Sequence, residues 1–275
     1  KTCQGIRYVG DKSPQIIDTI KALSMSLAKS SNISLDHTAC ESKKQCIFLG
    51  LFPDGKPSGQ FSSISSSDFE RIGNQGYILH IDSNGVVISA KEITGLFYGC
   101  KTLSQIAMER TVLPGIHIRD WPTLEYRGIQ QDIARGQIPA METFERLTDV
   151  LAESKMNILS LYIENAFLFE SHPDLAPSEA LTPQQGRQLF EYAAKQHIDV
   201  PVVFQALGHS SHILTKPGYE HYSSGPCNTK ACTITFDIRN PRTITLINEL
   251  IDDVCKTFTA KYLKVDVQKT ANLIG

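Results

Sequence analysis

The chain has 275 residues, of which 41% are hydrophobic and 20% charged, and its formal net charge is −2. This composition suffices for one large domain or two modest ones, and it excludes a disordered tail or a tiny disulfide-stapled scaffold. The 27 basic residues are spread along the chain without a long run of like charge, so neither nucleic acid nor an anionic membrane is expected as a partner. A neutral ligand fits better. No apolar stretch approaches the ~18 residues of a transmembrane helix, so no membrane span is expected.

The first part of the chain predicts alternating strands and helices. An apolar segment at residues 6–9 is followed by a helix-period pattern between Ile16 and Leu27, and then by a strand at 46–51. Residues 55–67 are rich in serine and glycine and predict a loop.

A hairpin and a helix are predicted next. Residues 77–81 and 86–89 alternate in polarity and flank Asp82-Ser83-Asn84-Gly85, a sequence typical of a tight β-turn. Residues 95–108 then repeat apolar side chains at steps of three and four, which predicts a helix packed on the sheet. These patterns favour a small α+β domain over residues 1–122.

From Tyr126 onward the pattern changes to strand, loop, helix, strand. Strands are predicted at 127–132, 157–163, 200–204 and 262–267, and helices at 141–155, 183–197 and 241–258. Residues 123–275 therefore predict about four βα units. Since a complete eightfold barrel needs about 250 residues, this pattern alone fits either half of a barrel or an open doubly wound sheet.

The seven cysteines are informative through their spacing. Cys40 and Cys46 bracket one short polar segment and Cys227 and Cys232 another, so each pair is a candidate disulfide. Their spacing does not suit zinc, and neither a metal site nor a cofactor is predicted. Buried thiols and disulfides are equally compatible with the sequence around Cys100 and Cys255. One cysteine of the seven must be free or bonded to another chain.

Asn32-Ile33-Ser34 is an N-glycosylation sequon in a polar segment. Together with the cysteine pairs it favours an oxidising compartment, either extracellular or lysosomal in type. The first residues, Lys1-Thr2-Cys3, lack the apolar core of a signal peptide, so for a secreted protein the signal is expected to have been removed already.

Several motifs in order resemble glycoside hydrolase family 20, the β-N-acetylhexosaminidases. The motifs are Tyr77–Gly85, Gly95–Gly99, Ile118–Pro122, Tyr126–Gly128, Asp132–Arg135, Lys155–Asn157 and Gly208–His209. The resemblance covers roughly residues 75–275, while the preceding residues fit the family only in outline. It implies an α/β fold in which a small α+β domain precedes the first βα units of a TIM-type (β/α)8 barrel.

The resemblance implies a retaining reaction in which the acetamido oxygen of the substrate is the nucleophile. The protein supplies an Asp that orients this group and an adjacent Glu that protonates the leaving oxygen. Aligned with the family, Gln268 and Lys269 occupy these two positions, so both negative charges are lost. Lysine, with a reference pKa near 10.4, is a poor proton donor at neutral pH. Asp266 lies two residues away and does not recreate an adjacent acidic pair.

The resemblance also implies roles for residues on the first three strands. Arg127 matches a sugar-hydroxyl-binding arginine, although a structural ion pair with Asp132 or Glu164 has nearly equal weight. Glu164 matches an acidic active-site position at the end of the second strand. His209 matches a family histidine and is the third candidate to bind sugar, with a structural role in holding loops near the pocket as the favoured interpretation.

Four further positions belong to the predicted pocket or its surroundings. Asp132 and Arg135 are interpreted as an ion pair in the pocket wall. His212 is expected to face solvent, and Val203 occupies a position where the family usually has an acid.

Two functional hypotheses follow. The favoured one is a catalytically inactive homologue that binds an N-acetylhexosamine-containing glycan or has a structural role outside the cell. The alternative is an active β-N-acetylhexosaminidase that removes terminal N-acetylhexosamines and is completed by residues or a chain not in this sequence. Four βα units leave open sheet edges, so a second polypeptide that completes the barrel is a possible partner.

Overall fold

The computed structural model describes residues 5–10, 13–31, 46–54, 56–62, 64–110, 112–225, 235–259 and 263–266. The chain divides into two compact units, an N-terminal unit of residues 1–125 and a C-terminal unit of residues 126–275. Six predicted site residues lie outside the described residues: Asn32, Cys40, Cys227, Cys232, Gln268 and Lys269. Within the described part, no helix is both long and apolar enough to cross a membrane.

The N-terminal unit contains a mixed five-stranded sheet in the order β1-β2-β4-β3-β5. Its elements are β1 (Ile6–Val9), α1 (Pro14–Ser31), β2 (Cys46–Leu51), α2 (Ser66–Arg71), β3 (Tyr77–Asp82), β4 (Gly85–Ala90), α3 (Ile93–Glu109) and β5 (Ile116–Asp120). Strands β1, β2 and β4 are parallel, whereas β3 is antiparallel to both of its neighbours. Helix α3 packs on β2, β3 and β4, and α1 contacts α3.

The predicted hairpin is confirmed, with Asp82 opposite Gly85 at its end. The Asp82 carboxylate accepts hydrogen bonds from the backbone N–H groups of Asn84 at 2.7 Å and Gly85 at 3.2 Å. Gly85 has a φ of +148°, and a Cβ there would lie 2.6 Å from the carbonyl oxygen of Cys46 on β2. Glycine is therefore required both by the turn and by the close approach of the adjacent strand.

Residues 55–67 were expected to form a loop, and this prediction is wrong at its end, where α2 begins at Ser66. The Ser65 hydroxyl caps this helix by accepting from the Asp68 N–H at 3.3 Å. Apolar side chains spaced between the serines make a small second core on the sheet. Its buried members are Cys46, Phe48, Phe61, Ile64, Phe69, Ile72 and Ile78.

The cysteines of the described part differ in state. Cys46 at the start of β2 is disulfide-bonded, while its predicted partner Cys40 lies outside the described residues. Cys100 is a buried free thiol on α3, and Cys255 is an exposed free thiol in the C-terminal unit.

The C-terminal unit contains a parallel sheet in the order β6-β7-β8-β9. Its elements are β6 (Gly128–Asp132), α4 (Met141–Glu153), β7 (Ile158–Tyr162), α5 (Pro183–Ala194), β8 (Val202–Gln205), α6 (Ser211–Leu214), α7 (Pro241–Thr257) and β9 (Leu263–Asp266). Each strand lies beside the next one in sequence, all in the same direction. A doubly wound sheet reverses its strand order, so this progression decides in favour of the first part of a (β/α)8 barrel.

The helices between these strands form for local reasons. Helix α4 buries Phe144, Thr148, Leu151 and Ala152, which share one face at helical spacing. Helix α5 begins with a capping box. The side chain of Thr182 accepts a hydrogen bond from the Gln185 backbone N–H, and the side chain of Gln185 accepts one from the Thr182 backbone N–H. A proline occupies the first turn.

Candidate functional site

The strands of the C-terminal unit are parallel, so their carboxyl ends meet at one edge of the sheet. Asp132 ends β6, Glu164 follows β7 by two residues, and His212 lies on α6 after β8. Arg135, in the loop after β6, and Tyr162, the last residue of β7, join them. We call these five residues the carboxyl-end cluster.

Arg135 connects the loops that follow β6 and β7. Its Nη1 donates to Glu164 Oε1 at 2.8 Å, and its Nε lies 3.4 Å from Asp132 Oδ2. The hydrogen bond to Glu164 raises the pKa of the Arg135 guanidinium, which is therefore always charged. The Arg135 side chain is 53% exposed, so it can still donate to a ligand in solvent.

Glu164 is the buried acid of the cluster, with a side chain that is only 9% exposed. The Tyr162 hydroxyl donates to Glu164 Oε1 at 2.8 Å, and the Arg135 guanidinium lies over the Tyr162 ring, 5.2 Å from its centroid. Burial and the hydrogen bond to Glu164 raise the pKa of Tyr162 to about 12. Tyr162 is thus a neutral donor that, together with Arg135, holds one oxygen of the carboxylate in place.

The second oxygen of Glu164 faces a histidine. His212 Nδ1 lies 3.5 Å from Glu164 Oε2, and the His212 side chain is only 14% exposed. The expectation that His212 faces solvent is therefore wrong. Burial lowers the pKa of His212 to about 4 even though the nearby Glu164 charge opposes this shift, so the imidazole is neutral at pH 7.

Backbone strain also occurs at this edge of the sheet. Glu164 has a φ of 37° and His209 a φ of 52°, in the left-handed region that residues with a side chain rarely adopt. Such conformations persist only where the surroundings impose them, and they are concentrated at functional sites. His209 itself is exposed beside the buried Gly208.

Arg127 lies at the other end of the sheet, immediately before β6. Its Nε and Nη2 both donate to the backbone carbonyl of Lys155, at 3.0 and 2.7 Å, and its backbone N–H donates to Asn157 Oδ1 at 2.8 Å. Neither predicted ion pair of Arg127, with Asp132 or with Glu164, is compatible with this position. The structure therefore separates Arg127 from Glu164, and Arg135 is the arginine that contacts the acid.

The Lys155-Met156-Asn157 motif has a structural role at this same amino end. Lys155 adopts a φ of 55°, and the backbone of Asn157 donates to the Arg127 carbonyl at 2.8 Å and accepts from Asp199 at 2.9 Å. These bonds join the starts of β6, β7 and β8.

A groove of about 490 Å³ lies beside the carboxyl-end cluster. It is lined by the loop after β6, including Ala134 and Gly136, by Asn165 and Ala166 after β7, and by Glu179. The groove is large enough for a small ligand such as a monosaccharide. Val203 on β8 is buried and contributes no charge here. Among the described residues, no group of three or more histidine, cysteine or acidic side chains could hold a metal ion.

Tyr162 and His212 were not predicted as members of the site. Tyr162 lies two residues before Glu164, and this spacing along a strand would have placed both side chains on one face. No sequence signal identified His212, because its contact with Glu164 joins loops that follow different strands.

The parallel strand order and the cluster at its carboxyl edge define a protein of the (β/α)8-barrel class, in which ligand sites collect at this edge. The profile for glycosyl hydrolase family 20, domain 2, matches residues 11–121, and that for the family's catalytic domain matches residues 124–266. Since the second match alone spans more than half of the chain, this protein belongs to glycosyl hydrolase family 20.

Individual relatives agree with the assignment. A β-hexosaminidase from Porphyromonas gingivalis is 24% identical over 76% of this chain, which spans 31% of that protein. One similar solved structure is a mutant Streptomyces plicatus β-hexosaminidase with one aspartate replaced by alanine, in complex with product GlcNAc. It superposes with a TM-score of 0.74 at 21% sequence identity, and the match covers 96% of this chain and 55% of that protein's chain. An inactive aspartate-to-alanine mutant of a Vibrio harveyi exo-β-N-acetylglucosaminidase superposes with a TM-score of 0.77 at 15% sequence identity. That match covers 100% of this chain and 45% of the Vibrio harveyi chain.

Proposed function

We propose that this protein is a family 20 homologue that binds terminal N-acetylhexosamine at the carboxyl-end cluster and does not hydrolyse it. The observation that carries the proposal is the bond between the half-exposed Arg135 and the buried Glu164 at the carboxyl edge of the parallel sheet. A charged fork held in place by a buried acid is suited to bind vicinal hydroxyl groups.

The chemistry of the cluster matches a neutral, polyhydroxylated ligand. Arg135 supplies N–H donors, and the oxygens of Asp132, whose side chain is 39% exposed, supply acceptors. The groove beside the cluster has walls of both polar and apolar character, as sugar rings require. A net charge of −2 for the whole chain agrees with a ligand that needs no electrostatic steering.

The absence of hydrolysis rests on the resemblance that places Gln268 and Lys269 at the acidic pair. Loss of a positioned general acid costs about 10²- to 10⁴-fold in rate, and lysine adds positive charge beside a cationic transition state. Two relatives are described with one aspartate replaced by alanine. The Vibrio harveyi mutant that lacks one aspartate is described as inactive, while the corresponding type of mutant from Streptomyces plicatus is described in complex with GlcNAc.

The alternative function is an active β-N-acetylhexosaminidase whose acids come from further polypeptide. The observation that favours it is the open sheet of the C-terminal unit, because β6 and β9 each pair on one side only among the described residues. Such edges demand a partner. A second chain, or a further part of the same protein, would complete the barrel and supply the acids.

The proposal includes an oxidising compartment, either extracellular or lysosomal in type. The disulfide-bonded Cys46 supports it, since such bonds persist outside the reducing cytosol. We propose Cys40 as the partner of Cys46, a second disulfide between Cys227 and Cys232, and glycosylation at Asn32.

Binding and hydrolysis are tested on the same purified protein. N-acetylglucosamine is titrated by calorimetry, and hydrolysis of a chromogenic β-N-acetylglucosaminide is followed in parallel, with intact mass recorded to detect any accompanying chain. We expect saturable binding, no turnover, and an affinity loss of about tenfold or more for Arg135→Ala, since a hydrogen bond from a charged group contributes ~1.5–3 kcal/mol.

The matched control is Arg187→Ala, which removes an exposed arginine on α5. It should leave the affinity unchanged. Turnover that a substrate-like oxazoline analogue abolishes would establish the alternative function. If the protein neither binds the sugar nor hydrolyses the substrate, both proposed functions are contradicted and a structural role remains.

A further inference from the structure

We propose that Tyr219 is a positioning residue that holds the connection after β7 against the connection after β8 and thereby keeps Glu164 opposite His212. The Tyr219 hydroxyl donates to Asp174 Oδ1 at 3.1 Å and lies 3.0 Å from His172 Nδ1. Both of these partners belong to the connection that carries Glu164, whereas Tyr219 belongs to the connection that carries His212. The inference rests on the function proposed above, because it concerns how the same site is kept in shape.

Polar contacts join the two connections at two separate places. At the carboxyl-end cluster, His212 Nδ1 lies 3.5 Å from Glu164 Oε2, which is longer than the usual ~2.7–3.2 Å of a hydrogen bond from nitrogen to oxygen. At the second place, Tyr219 contacts Asp174 and His172, and the rings of Tyr219 and His172 also meet edge to face with their centroids 5.9 Å apart. Because the contact at the cluster is long, we expect the second contact to set the distance between the two connections.

The connection after β7 is held in place between the cluster and His172. The rings of Phe167 and Phe169 are fully buried. Next to His172, the backbone N–H and the hydroxyl of Ser171 both donate to the buried carboxylate of Asp253 on α7, at 2.8 and 2.7 Å. His172 is therefore a fixed point against which Tyr219 can be held.

The connection after β8 links Tyr219 to His212 through its own backbone. The Lys216 N–H donates to the Ile213 carbonyl at 2.9 Å, and the Tyr219 N–H donates to the Lys216 carbonyl at 3.0 Å. Ile213 and Leu214, which follow His212 directly, are buried. A displacement of Tyr219 is therefore expected to move His212 as well.

The Tyr219 hydroxyl is chemically suited to this role. Burial and the hydrogen bond to Asp174 raise the pKa of Tyr219 to about 12, so the hydroxyl keeps its proton and remains a donor at neutral pH. On the other side of the imidazole, His172 Nε2 lies 2.9 Å from Glu249 Oε2 on α7, which orients the ring that Tyr219 contacts. Binding sites need their groups held within about 0.5 Å, and supporting hydrogen bonds of this kind provide that precision.

The test is Tyr219→Phe, which keeps the ring and removes only the hydroxyl. We expect the affinity for N-acetylglucosamine, measured by calorimetry, to fall by about threefold or more, as for other residues that are coupled to a site without touching its ligand. The pKa of His212, followed through the NMR signals of its imidazole, should rise from about 4 toward its ordinary 6.5, because a looser contact admits water to the ring.

Tyr192→Phe is the matched control. It removes a tyrosine hydroxyl that donates to Asp149 at 2.8 Å between α5 and α4, where burial and this hydrogen bond likewise raise the pKa of Tyr192 to about 12. It should leave both the affinity and the pKa of His212 unchanged. Asp174→Ala removes the exposed acceptor of the Tyr219 hydroxyl and should reproduce both effects of Tyr219→Phe, so the inference stays testable even if the tyrosine variant does not fold.

The two measurements separate this inference from the proposed function. An unchanged pKa of His212 in Tyr219→Phe and Asp174→Ala would overturn the inference, whatever the affinity. Wild-type affinity in both variants would overturn it as well and leave the proposed function intact. If the wild type binds no N-acetylglucosamine, the proposed function is contradicted, and the pKa of His212 alone then decides whether Tyr219 positions the cluster.

Discussion

The two ends of the parallel sheet in the C-terminal unit use the same residue types differently. At the amino end, the Arg127 guanidinium is bonded to the backbone carbonyl of Lys155. At the carboxyl end, eight residues further along the chain, Arg135 is bonded to the side chain of Glu164. The first arrangement joins strands, while the second leaves a half-exposed charge beside a groove. An arginine in a family motif is therefore interpreted by the end of the strand on which it lies.

Gly128→Ala should cause the largest loss of stability at the amino end. A Cβ at Gly128 would lie 2.0 Å from the carbonyl oxygen of Ile158, its partner in register on β7. Because that oxygen is backbone, the two strands would have to separate. We expect the free energy of unfolding to fall by about 4 kcal/mol or more, measured by urea denaturation of the C-terminal unit's transition.

Gly115→Ala is the control, since a Cβ there would meet only the Ile81 carbonyl at an ordinary 3.7 Å. Gly115 lies in the N-terminal unit, so Gly115→Ala should leave the C-terminal transition unchanged and shift the N-terminal one by no more than about 1 kcal/mol. Equal stability of the two variants would contradict the close contact between β6 and β7.

His212→Gln tests the carboxyl end through the dependence of stability on pH. Burial lowers the pKa of His212 to about 4 from 6.5, so between these values the unfolded chain binds more protons than the folded one. The low pKa of His212 therefore does not change the free energy of unfolding above about pH 6.5. As the pH falls toward 4, it lowers that free energy progressively, by roughly 2–3 kcal/mol. His212→Gln should flatten this part of the stability curve.

His197 provides an internal comparison, because burial also lowers its pKa to about 4. His197→Gln should flatten the same range independently, and the two effects should add. An unchanged slope in His212→Gln, measured by denaturation at several pH values, would show that His212 is exposed to solvent after all.

Arg127→Ala should have a smaller effect that separates the two ends directly. It removes two donors from the Lys155 carbonyl and should lower the free energy of unfolding by about 1–3 kcal/mol. Its affinity for N-acetylglucosamine should equal that of the wild type, unlike that of Arg135→Ala. Loss of sugar binding in a fully stable Arg127→Ala variant would reverse the assignment of the two arginines.

Much of the fold followed from local patterns. The hairpin at Asp82–Gly85 was predicted because its turn residues suit a tight turn and its strands alternate in polarity. The βα pattern after Tyr126 was predicted because apolar residues recur with different periods along buried parallel strands and along amphipathic helices. The core built around Phe61 and Phe69 was missed, since serines surround these residues and disguise their spacing.

The residues of the carboxyl-end cluster also fall into a group named from the sequence and a group found only in the structure. The resemblance to the family pointed to Glu164, Asp132 and Arg135 as pocket residues, and the structure brings their side chains together at one edge of the sheet. The sequence alone determined the order of strands and helices, the turns and these loop residues, all of which depend on neighbours in the chain. Only the tertiary structure decided that the sheet runs in barrel order, that Arg127 lies at the opposite end, and that His212 faces Glu164. Those facts depend on contacts between residues far apart in sequence, which no local pattern encodes.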